Sequence, residues 1–118
     1  MPLSDEEVDL RRAVWSALSE LYLDTEPPWE AVAATCAASP FSLDALRRIL
    51  FDEVDPVLRF NMSSVAGVWQ GFDEAWLVAA IRARRRRPWP RLAWFEERRY
   101  PWRELRPLVV AKRRPDVP

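Results

Sequence analysis

The 118-residue chain contains no histidine. That removes the commonest general base, the usual imidazole ligand of zinc and iron, and every triad built on an imidazole. Its two glycines, Gly67 and Gly71, cannot build a glycine-rich phosphate loop. Asn-Gly hairpin turns are also absent. The one cysteine, Cys36, has no partner for an intramolecular disulfide, which suits a reducing compartment. No apolar run approaches the ~20 residues of a membrane span. The opening stretch MPLSDEEVDL lacks the basic and apolar regions of a signal peptide. A cytoplasmic location is the expectation.

What is present is apolar and aromatic. Hydrophobic residues make up 49% of the chain and include seven tryptophans, too many for a disordered segment. One helical domain over residues 1–106, followed by a tail over 107–118, fits this length. Formal charge sums to zero, yet it is unevenly laid out. Residues 1–60 carry 12 Asp/Glu against 5 Lys/Arg, a net of −7. Residues 61–118 carry 6 against 13, a net of +7. An acidic half is joined to a basic half, and any partner must suit one or the other.

Periodicity predicts an all-α fold, a compact bundle of five or six helices. Ser4 three residues before Glu7 forms a capping box, and Leu10, Val14, Ala17, Leu18 and Leu21 share one face of the helix that follows, with Trp15 and Tyr22 at its border. Trp29, Val32, Ala33 and Cys36 form the core face of a second helix, on which Cys36 reads as a buried structural thiol. Ser42 caps a third, with Leu43, Leu46, Ile49, Leu50 and Val54 as its stripe. Asp55 and Pro56 read as the cap and first position of a fourth helix. Its residues Leu58, Met62, Val65 and Trp69, with almost no charge between 57 and 69, make 56–69 the expected buried central helix. Asp73 caps a fifth, with Leu77, Ala80 and Ile81 inward and the Arg84 stem alongside, expected to run to Arg87 before Pro88. Pro107 is expected to break the helical pattern, and AKRRPDVP, residues 111–118, to form a frayed tail.

Two charged features invite a functional reading. Phe-Asp-Glu recurs at 51–53 and 72–74, and paired carboxylates suit acid–base work or a divalent cation. As caps and solvated neighbours these carboxylates need no such role, so no catalytic residue, metal or cofactor is expected. The other feature is Arg82, Arg84, Arg85, Arg86 and Arg87, followed by Trp89, Trp94, Tyr100 and Trp102. Arginines and aromatics together can track phosphates and stack bases. On a helix, however, these five arginines point all around the axis, and the net −7 half repels a phosphate backbone. The charged end of a helix, or a partner for the acidic half, is the stronger expectation.

The stretches VWSALSELYLDTE, SPFSLDALRRILFDEVDPV and SSVAGVWQGFDEAWL resemble, in that order, a small bacterial family defined only as a domain of unknown function. The resemblance covers about residues 8–86 and implies a stand-alone soluble protein, with no catalytic residue to carry over. By analogy with small helical acidic-faced inhibitors, the chain is expected to be a non-catalytic protein-interaction module of the immunity or antitoxin type. Its partner is then another protein, a toxin or effector with a basic surface, bound through Glu20, Asp24 and Glu26 around the first interhelical turn and Asp52, Glu53 and Glu74 near the later caps. The alternative is a nucleic-acid-binding protein using the basic C-terminal half, with Arg82, Arg84, Arg85, Arg86 and Arg87 as its contacts.

Overall fold

Ser4 opens the first helix as the sequence predicts. In the computed structural model, which describes residues 3–23, 26–61, 73–84 and 93–114, Glu7 N–H donates to Ser4 Oγ at 3.2 Å, and Ser4 N–H donates to Glu7 Oε1 at 3.1 Å. This capping box starts α1 (Asp5–Ser19), which tightens into a 3₁₀ turn over Glu20–Tyr22. α2 (Trp29–Ala38) and α3 (Leu43–Arg48) follow, the latter capped by Ser42. A π-helical turn over Ile49–Val54 leads directly into α4 (Asp55–Asn61). α5 (Glu74–Ala83), α6 (Ala93–Glu97) and α7 (Trp102–Arg113) complete the order. The fold is all-α, with no strand among the described residues.

The core face of α1 is rotated from the predicted one. Val8, Val14, Trp15 and Leu18 are buried, whereas Leu10 is 57% exposed. The reason is the indole: Trp15 is a far larger apolar surface than Leu10, and seating it at the centre buries more area. α1 then packs against α2, α5 and the π-helical turn, while α7 lies along α2. The alanine-rich α2 lets α7 approach closely and contributes Val32, Ala33 and Cys36 to the core.

Three further expectations change. Asp55 is not an N-cap, because its backbone is helical and helix runs unbroken from Leu43 to Asn61. Asp55 N–H donates to the Leu50 carbonyl, five residues back. That wider turn relieves the clash Pro56 imposes on the carbonyl four residues before it. Within the expected central helix, Val57 and Leu58 are buried; Met62, Val65 and Trp69 lie outside the described residues.

α5 stops at Ala83 rather than Arg87, with Arg84 in extended geometry and exposed. Continuing it would have set Arg82 beside Arg86 and Arg84 beside Arg87, like charges at helical neighbour positions. α7 runs through Pro107 to Arg113, so Pro107 does not break the helix and residues 111–113 are not frayed. Pro107 faces solvent, the side on which a missing backbone hydrogen bond costs least. Trp102, Leu105 and Val109, at i, i+3 and i+7, are each fully buried and hold the helix down on both sides of it.

Candidate functional site

Glu53 and Asp55 both turn inward to meet α1. Trp15 Nε1 donates to Glu53 Oε1 at 2.8 Å. Arg11 Nε lies 3.3 Å from the same oxygen, an electrostatic contact whose N–H is not aligned for a hydrogen bond. The Arg11 guanidinium also covers the Phe41 ring, 5.2 Å from its centroid. Two helical turns on, Tyr22 Oη donates to Asp55 Oδ1 at 2.7 Å. Asp55 Oδ2 faces Arg59 at 3.5 Å and Arg99 at 3.6 Å. Burial and the adjacent Asp55 carboxylate push the Tyr22 hydroxyl far above its ordinary value, so it stays protonated as the donor. Two aromatic donors seven residues apart, Trp15 on α1 and Tyr22 on the 3₁₀ turn that follows it, thus find two carboxylates on the neighbouring helix, which fixes how α1 seats.

Further bridges join helices distant in sequence. Arg47, 5% exposed, spans from α3 to α6, with Asp44 at 2.6 Å, Glu97 at 2.9 Å and Glu96 at 3.3 Å. Burial works against the Arg47 charge, but hydrogen bonding to Glu97 and the nearby carboxylates outweigh it and raise its pKa. Glu97 also accepts from Trp102 Nε1 at 3.1 Å. Arg113, in the last turn of α7, donates to the carbonyls of Cys36, Ala37, Ser39 and Phe41. These carbonyls lie at and beyond the negative end of α2, where Cys36 O also accepts from Ser39 N–H and Oγ, so Arg113 acts as a cap supplied by another helix. Lys112 meets Glu30 at 2.9 Å and Arg82 meets Asp5 at 3.1 Å. Among the described residues, Asp5, Glu30 and Asp55 of the acidic half are thus set against Arg82, Lys112 and Arg99 of the basic half.

This sorts the sequence-predicted residues. Glu53 is 7% exposed and engaged inside, so it is no surface carboxylate. Its burial follows from the Trp15 N–H, which needs an acceptor once the ring is buried. Glu74 is exposed but lies 3.7 Å from Arg12. Asp52 is half-buried and lines, with Glu53, Arg11, Asp44, Arg48 and Ser42, an open groove of about 590 Å³. Glu20 is half-buried and Glu26 exposed, and neither forms an ion pair among the described residues. Asp24 lies outside the described residues, as do Arg85, Arg86 and Arg87.

Sequence reasoning named Glu20 but missed the rest of the outer face of α1, where Glu6, Leu10, Ala13 and Glu20 fall within one quarter of the circumference. Glu6 forms no ion pair among the described residues, and Leu10 and Ala13 are exposed. The available signal was the wheel itself: with Trp15 inward, Leu10 cannot be.

Other chemistry is limited. Burial pushes the Cys36 thiol up to about 12, only partly opposed by Arg113, so little thiolate forms at neutral pH. Among the described residues no cluster of three or more His, Cys, Asp or Glu side chains is placed to hold a metal ion. No described helix is long and apolar enough to cross a membrane. Of the aromatics considered for base stacking, Trp102 is fully buried and Tyr100, 51% exposed, sits edge-on to Trp29 at 5.9 Å; the side chains of Trp89 and Trp94 lie outside the described set.

A family model described as "Domain of unknown function (DUF7079)" matches residues 9–110. The match runs from α1 into the second half of α7, well past the residue-86 limit of the motifs recognised in the sequence. No curated protein and no solved structure matches the chain.

Proposed function

The chain belongs to that domain-of-unknown-function family, and on this premise we propose that it is a non-catalytic protein-interaction module that binds a basic partner through the outer face of α1. One observation carries this reading. Glu53 and Glu74 are engaged by arginines of the same chain, whereas Glu6, Glu20 and Glu26 form no ion pair among the described residues. Leu10, 57% exposed, lies between Glu6 and Glu20 on the helix face and offers apolar contact. An acidic rim around an apolar contact suits the basic surface of another protein, and such complementarity speeds encounter. In its finer form the proposal is an immunity- or antitoxin-type inhibitor in a bacterial cytoplasm, whose partner is a toxin or effector with a basic working surface.

The test begins with tagged protein and extract from the native host. A captured partner is then purified, and its association is measured against wild type and the Glu6→Gln/Leu10→Ala/Glu20→Gln variant. A basic partner, an association rate that falls as salt is raised, and at least a tenfold loss of affinity in the variant are expected. Equal binding by the variant overturns the assignment of the face. The competing reading, nucleic-acid binding by the basic half, rests on Arg84 being exposed and free of helical geometry. It replaces the proposal if oligonucleotides bind at roughly micromolar affinity at physiological salt and Arg82→Gln/Arg84→Gln abolishes that binding.

A further inference from the structure

We draw no further inference here: the strongest candidate, the open groove between α1 and the α3–π-turn segment lined by Arg11, Ser42, Asp44, Arg48, Asp52 and Glu53, has Asp44 and Glu53 already matched by Arg48 and Arg11, and nothing in the structure shows what covers it.

Discussion

Glu53 and Glu20 are the same side chain placed on opposite sides of one helix. Glu53 reaches α1 from within, takes the Trp15 indole N–H and sits against Arg11. Glu20 belongs to the turn that ends α1, is half-buried, and forms no ion pair among the described residues. The inner carboxylate has given up most of its water, so its neighbours must replace that hydration. The outer one keeps more of its water and costs the fold little. A net charge of −7 over residues 1–60 therefore describes two populations. One holds helices together, and the other forms no ion pair among the described residues.

The sharpest way to break this contrast is to remove an inner acid. Asp55→Ala takes away the acceptor of Tyr22 and the counter-charge of Arg59 and Arg99. Breaking a buried pair typically costs about 3–5 kcal/mol. The low end is expected, because both arginines reach solvent and rehydrate. Denaturant unfolding checks this, and a loss below about 1 kcal/mol would move Asp55 to the outer population.

Alkaline pH gives the next largest effect. Tyr22 and Cys36 are both buried acids whose folded pKa is raised, so they remain protonated when the unfolded chain has released its protons. Their stabilisation is complete below the unfolded values, about 8.5 for cysteine and about 10 for tyrosine. It is lost as pH rises, for Cys36 up to about 12. Each group contributes at most about 1.4 kcal/mol per pH unit. Tyr22→Phe and Cys36→Ala should each flatten the decline of stability measured between pH 8 and 11. An unchanged slope in both variants would contradict their burial as protonated groups.

The smallest effect belongs to the outer face. Glu6→Gln and Glu20→Gln should each change stability by no more than about 0.5 kcal/mol, as surface substitutions do. A larger loss in thermal or denaturant unfolding would place those carboxylates among the structural ones.

The helices themselves were largely legible, because caps and apolar spacing act locally: Ser4, Ser42 and Asp73 each receive the backbone N–H expected of a cap. Asp55 was misread for the same local reason. Asp-Pro reads as a helix start, while the Tyr22 hydroxyl that draws Asp55 inward is 33 residues away. Pro107 was read as a stop although Trp102, Leu105 and Val109 keep helical spacing across it, and tertiary packing outweighed the local rule. The candidate surface was the least legible part. Whether a carboxylate is free depends on where every arginine goes, and Arg47, Arg99 and Arg113 find partners far away in sequence.

The claim that buried bridges hold distant helices together is tested most directly at Arg47 and Glu97. A double-mutant cycle combines Arg47→Met with Glu97→Gln, and the exposed Arg12–Asp9 pair serves as reference. Arg47–Glu97 coupling above about 1 kcal/mol is expected, against about 0.2–0.5 kcal/mol for the reference. The Arg47–Glu97 coupling should survive roughly 1 M salt, since Arg47 is shielded from ions, while the reference coupling should vanish. An Arg47–Glu97 coupling no larger than the reference, or one erased by salt, would contradict the account.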